Sequence, residues 1–263
     1  MAMQETELIF LGTSVCIPET GDDTASFLIG GELLIDVGWH VTDRLRLGGY
    51  APAGIDTLCF THMHHDHMMA LPAFLYERYA RGTAGALNVY GPYPMTRAIE
   101  DAKRFLQLDV YWPDAMQPNV HVLRSGDSFQ TEHLSVQTMA SDHAVPGLCY
   151  RVEDRRSGVV LGFGGDGAYQ DELAGFFQGC DVLIHEFSFG LQKPADNQQR
   201  HSDICDAARV ARDAGARMLC PVHGPARMRE ACEAQARRIY DGRLLWPAPG
   251  ERLLICKGSG RLI

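Results

Sequence analysis

Six consecutive residues, His62-Met63-His64-His65-Asp66-His67, carry four histidines and one aspartate. Such a run suits neither an apolar core nor a solvated loop, since buried imidazole and carboxylate groups need partners. Both groups are ordinary ligands of Zn²⁺ and similar divalent ions. The run follows the apolar stretch 57–60 and precedes a helical pattern in which Met68, Leu71, Phe74, Leu75 and Tyr79 share one face. His62 and His64, spaced i and i+2, point the same way in extended backbone. Asp66 and His67 come after the chain turns into the helix, where they can face a second ion. A strand-to-helix junction of this kind requires the remaining ligands from the ends of other strands.

Four later residues answer that description. His143 follows the strand-like stretch 134–140, and Asp166 follows 159–162 in the Gly-rich turn Gly164-Gly165-Asp166. His201 immediately precedes the amphipathic stripe Ile204, Ala207, Ala208, Ala211 and Ala214, for which Ser202 reads as the N-cap and Gly215 as the stop. His223 ends the apolar run 217–222. Further strands are predicted over 7–11, 25–29, 33–37, 87–90, 120–123, 149–153, 181–185 and 252–256. Helices are predicted over 41–47, 95–108, 171–178 and 228–240. Strand-rich stretches alternating with single helices in both halves point to an α/β layer structure, sheets inside and helices outside.

The chain has 263 residues and reads as one domain, 1–263, at the upper edge of single-domain size. With 46% apolar and 22% charged residues, wholesale disorder is excluded. No stretch approaches the ~18 apolar residues of a membrane span, and the N-terminus lacks a basic-then-apolar leader pattern. Eight cysteines stand singly, several in apolar runs, as expected of buried reduced thiols in a cytoplasmic protein. A net charge of −9 does not suit a generic nucleic-acid binder.

Taken together, these motifs resemble those of metallo-β-lactamase-fold hydrolases, and within them the ribonuclease Z-like branch. The matching pieces are Phe10-Leu11-Gly12-Thr13-Ser14, the Thr-His-x-His-x-Asp-His run at 61–67, Asn88-Val89-Tyr90-Gly91-Pro92, and His143 with Gly147-Leu148-Cys149-Tyr150-Arg151. They continue through Gly165-Asp166-Gly167, Asp181-Val182-Leu183-Ile184-His185-Glu186, His201-Ser202-Asp203 and Pro221-Val222-His223-Gly224. The resemblance implies an αββα sandwich of two mixed sheets packed face to face. It also implies two divalent ions, zinc by ligand type with manganese or iron as alternatives. His62, His64 and His143 would hold one ion; Asp66, His67 and His223 the other; Asp166 would bridge them. Glu186 would pair with His201 near the scissile phosphate, and Asp66 would also orient the attacking water. His65 and His185 match no ligand position; His185 reads as a packing or supporting residue. His40, His121 and His133 read as ordinary loop or strand-edge residues. By resemblance, a homodimer is also expected.

One departure stands out. tRNA-processing members of the branch carry a basic, Gly/Pro-rich arm between the positions of His143 and Asp166. Here residues 144–165 hold two strands and a turn, leaving no room for it. The expected substrate is therefore a small phosphodiester, cyclic or linear, with no stable nucleic-acid partner and no membrane. The alternative on the same scaffold is hydrolysis of a lactone, thioester or amide, against which the Glu186/His201 pair argues. A metal-binding regulatory protein without turnover is the remaining reading, and the complete ligand set speaks against it.

Overall fold

The computed structural model describes residues 4–82, 85–114 and 117–263; the first three residues of the segment read for a leader lie outside it. The strands, in chain order, are β1 (Thr6–Gly12), β2 (Ser26–Ile29), β3 (Leu33–Ile35), β4 (Thr57–Cys59), β5 (Asn88–Gly91), β6 (Asn119–Val122), β7 (Ser128–Gln130) and β8 (Leu134–Ser141). They continue with β9 (Gly147–Asp154), β10 (Val159–Phe163), β11 (Val182–Glu186), β12 (Met218–Val222), β13 (Arg243–Leu244), β14 (Arg252–Cys256) and β15 (Ser259–Leu262). They form two mixed sheets, ordered β15-β14-β1-β2-β3-β4-β5-β6 and β13-β12-β11-β10-β9-β8-β7. The helices are α1 (Val41–Leu47), α2 (His65–Met68), α3 (Leu71–Ala80), α4 (Met95–Phe105), α5 (Leu108–Tyr111), α6 (Glu172–Phe176), α7 (Ile204–Asp213) and α8 (Arg229–Ala236). None of them is long and apolar enough to cross a membrane.

Strand β1 explains the layering. Leu8 and Phe10 face a core shared with Tyr150, Leu161, Phe163 and Ile184 of the other sheet. Ile9 and Leu11 face the opposite way, against Val41, Leu45, Leu71, Phe74 and Ile99 of the helices. Neighbouring residues of a strand point to opposite faces, so a strand covered on both sides reads as an unbroken apolar run. The second sheet repeats the arrangement: Cys149, Val160, Leu183 and Leu219 pack under Leu173, Ile204, Ala207, Ala211 and Cys232. The result is the αββα sandwich expected from the sequence.

Several local readings change. The helical stripe after the histidine run is two helices, α2 and α3, separated at Met69 and Ala70. The helix predicted to reach Leu108 stops at Phe105, because Gln107 adopts φ 48°, a left-handed conformation that no α-helix continues through. Asp203, not Ser202, caps α7: its carboxylate accepts the Asp206 N–H at 3.0 Å, while the Ser202 hydroxyl donates to the Gly167 carbonyl. The last long helix begins as a 3-10 turn over Ala226–Met228 and ends at Ala236. The edge elements β7, β13 and β15 and the short α5 carried no sequence signal of their own. Cys59, Cys149, Cys180, Cys220 and Cys232 are buried, whereas Cys16 is exposed.

Gly12 shows how the sheet holds the loops above it. A Cβ there would lie 2.2 Å from the Thr24 carbonyl oxygen and 2.5 Å from that of Asp23. Thr24 in turn donates its hydroxyl to the Asp66 carbonyl at 2.6 Å. Gly12→Ala is expected to destabilise the fold by about 1–3 kcal/mol, the range for overpacking. At roughly 2–4 °C per kcal/mol for a chain of this size, a thermal melt resolves the loss.

Candidate metal centre

The carboxyl ends of strands from both sheets converge on one cluster. After β4, His62 and His64 lie in extended backbone, with His64 at φ −70° and ψ 153° as N-cap of α2. Asp66 and His67 lie within α2. His143 follows β8, Asp166 follows β10, Glu186 ends β11, and His223 follows β12. Gly165 makes the Asp166 turn with φ 60°, and its missing Cβ would meet the Thr61 side chain at 3.1 Å. His223 adopts φ 50°, and its N–H donates to the Thr13 carbonyl at 2.7 Å.

All seven residues read as ligands come together. Possible ligand atoms of His62, His64 and His143 lie within 4.8 Å of one another, as do those of Asp66, His67 and His223, and those of His62, His67 and Asp166. His64 Nδ1 is 3.1 Å from His62 Nε2 and 3.0 Å from His143 Nε2. Asp66 Oδ2 is 3.0 Å from His223 Nε2 and 3.4 Å from His67 Nε2. Asp166 Oδ2 joins the two groups, 3.9 Å from His62 and 3.6 Å from both His67 and His223. Tetrahedral zinc, with bonds of about 2.0–2.1 Å, has ligand–ligand edges of about 3.3 Å. The donor set therefore fits divalent cations, and one buried atom demands such a partner: His67 Nε2 has no hydrogen bond.

The outer nitrogens explain why the inner ones are free. Nδ1 of His62 meets the Thr61 hydroxyl at 3.1 Å, that of His67 meets Asp36 at 2.8 Å, that of His143 meets the Arg200 carbonyl at 3.1 Å, and that of His223 meets the Ser188 hydroxyl at 2.9 Å. Each contact places the proton on Nδ1 and leaves the Nε2 lone pair facing inward. Asp36 is 1% exposed and also accepts from the Thr61 N–H and hydroxyl. Sequence reading passed over it as part of a strand. The available signal was an acid ending an apolar run, which must find a donor once buried.

Burial, reinforced by neighbouring imidazoles, holds His62 well below the ordinary histidine pKa, and burial also lowers His64 and His143. Burial pushes Asp166 up, but the imidazoles of His223 and His67 outweigh it and hold the carboxyl well below its usual range. The same contest, won by the imidazoles of His223 and His67, keeps Asp66 ionised. His67 and His223 are raised despite burial, Asp166 being the largest opposing cause for each. A cation entering between them displaces those protons, so metal binding strengthens as pH rises.

Glu186, also 1% exposed, anchors the neighbouring loop. It accepts from the Gly167 N–H at 2.7 Å, the Ser188 N–H at 3.1 Å and His201 Nδ1 at 2.9 Å. Burial lowers the His201 pKa, but Glu186 more than offsets it and the net shift is upward. His201 lies 3.8 Å from Asp166 Oδ2. His185 points elsewhere, packing on Gly164 with Nδ1 on the Glu186 carbonyl. His121 stacks on Tyr90, and His133 pairs with Glu32.

Residues 32–224 match the beta-lactamase superfamily domain, and the chain belongs to that family. Ribonuclease Z of Methanothermobacter thermautotrophicus is 25% identical, covering 89% of this chain and 92% of its own length. Among solved structures, the metallo-beta-lactamase fold protein YhfI of Bacillus subtilis superposes with a TM-score of 0.81 at 21% identity, covering 96% of this chain and 100% of its own. A diphosphatase of the PhnP family gives 0.73 at 18% identity, covering 96% and 98%. The chain is thus a hydrolase of the metallo-β-lactamase superfamily, a fold that binds divalent metal.

Asp36→Asn tests the support beneath the centre. Asparagine keeps an acceptor for Thr61 but can set an amide N–H against His67 Nδ1–H. Metal affinity, measured by competition with a chelator, is expected to fall about 10–100-fold, the usual cost of losing such a partner.

Proposed function

We propose that this chain is a dinuclear metal phosphodiesterase acting on a small phosphodiester, cyclic or linear. The observation that carries the reading is the pairing of buried Glu186 with the partly exposed His201 beside Asp166, at 2.9 Å and 3.8 Å. In this reading His62, His64 and His143 would hold one ion, Asp66, His67 and His223 the other, and Asp166 would serve both. Zinc suits the imidazole-rich set, with manganese or iron as alternatives. Bound ions would supply Lewis acidity toward the phosphoryl oxygens and would lower the pKa of water toward neutrality.

The chain's own groups do the rest. Asp66 orients the attacking water and draws off its proton as the new P–O bond forms. His201, with Nδ1 engaged by Glu186, presents Nε2 and delivers a proton to the leaving alkoxide as the old P–O bond breaks. Glu186 fixes the ring and favours its protonated form. The relatives named ribonuclease Z support a phosphoryl substrate. The tight connection between β9 and β10, residues 155–158, together with the net charge of −9, supports a small one.

His201→Ala is expected to retain both ions by metal analysis and to lower kcat about 10²–10⁴-fold on an alkyl phosphodiester. The loss shrinks with p-nitrophenolate, which needs little protonation. Glu186→Gln gives a smaller defect in the same direction. Hydrolysis of a lactone or thioester in preference to any phosphodiester, each assayed with and without chelator, would overturn the reading. A pre-tRNA substrate is expected to be cut far more slowly than a small diester; comparable rates would refute the substrate size.

A further inference from the structure

The segment between β11 and α7 contains two non-glycine residues in the left-handed region, Asn197 at φ 34° and Arg200 at φ 53°. Such conformations cost on the order of 1–3 kcal/mol each and persist only where surrounding contacts over-determine them. The contacts here are specific. The Arg200 N–H donates to the Asn197 carbonyl at 3.0 Å, closing a turn. The Asn197 side chain then grips the backbone of His201 on both sides. Its Oδ1 accepts the His201 N–H at 3.1 Å, and its Nδ2 donates to the His201 carbonyl at 3.0 Å. Both ends of one amide are thus committed to one residue. The same turn presents the Arg200 carbonyl to His143 Nδ1, and the Arg200 guanidinium to Asp142 at 2.8 Å.

Glu186 fixes the ring of His201 but not the backbone from which that ring projects. The rings of His143 and Phe189 pack edge-on against the imidazole as well, but all of these contacts act on the ring, and proton delivery from Nε2 tolerates little displacement. We propose that Asn197 is a positioning residue for His201, holding its backbone so that Nε2 meets the leaving-group oxygen. The inference rests on the reading of His201 as the leaving-group acid.

The test is a double-mutant cycle on an alkyl phosphodiester with the full-length metal-loaded protein. Asn197→Ala is expected to lower kcat roughly 10–100-fold, the scale for losing an orienting partner. KM and metal content should stay within about twofold. The loss should shrink with a p-nitrophenolate leaving group. The double variant Asn197→Ala/His201→Ala should be no slower than His201→Ala alone, because Asn197 acts only through that ring. Asn197→Gly adopts the positive φ without a Cβ penalty but loses the clamp, so the fold should persist with a melting temperature only a few degrees lower while kcat falls. A merely structural role predicts the opposite pairing, kcat retained whenever the fold is. Losses that multiply in the double variant, or full kcat in Asn197→Gly, would overturn the proposal. No effect of His201→Ala on the alkyl substrate would instead overturn the phosphodiesterase reading beneath it.

Discussion

One carboxylate oxygen ties the two sheets together at their working end. Asp166 Oδ2 stands within 4 Å of imidazoles from the first sheet, His62 and His67, and from the second, His223. A buried acid surrounded by buried bases is stable only if charge is balanced locally. Everything beneath it serves that balance: Thr61 and Asp36 under the first sheet's histidines, Ser188 under His223, the Arg200 carbonyl under His143. The strands bring these groups to a common level, and the apolar layers above and below keep bulk water from screening them.

Glu186 carries two duties with one side chain. Through Oε1 it receives both the N–H of Gly167, which follows Asp166, and the His201 ring. The Asp166 turn and the histidine beside it are therefore referenced to the same atom. Ser202 adds a second strut, its hydroxyl on the Gly167 carbonyl. That use of Ser202 explains why α7 takes its cap one residue later, from Asp203.

The legible part of this protein was chemical rather than architectural. The histidine run and the isolated His143, Asp166, His201 and His223 stood out because imidazole and carboxylate have few bland uses in apolar surroundings. All seven sit in one cluster, and His201 meets Glu186. Unbroken apolar strands alternating with single helices pointed to an α/β layer structure, and the family resemblance implied its αββα form. Short edge strands such as β7 and β15 left no trace, since three or four half-exposed residues carry no periodicity. Asp36 and Ser188 were missed for a different reason: a supporting side chain is defined by what lies across the fold from it. Gln107 shows the limit for helix ends, where a left-handed residue that is not glycine or asparagine gives no warning.

The turn from Asn197 to Arg200 has an evolutionary corollary. Its carbonyl steadies His143 of the histidine cluster, and the Asn197 amide steadies the neighbouring histidine read as an acid. The four residues Asn197–Arg200 are thus not free to lengthen or shorten, although Gln198, Gln199 and Arg200 are exposed. Insertions that alter substrate choice while sparing the chemistry have to enter elsewhere. The bend between β9 and β10, which makes no contact of this kind with the cluster, is where such a graft could be accepted or discarded without loss of the hydrolytic machinery.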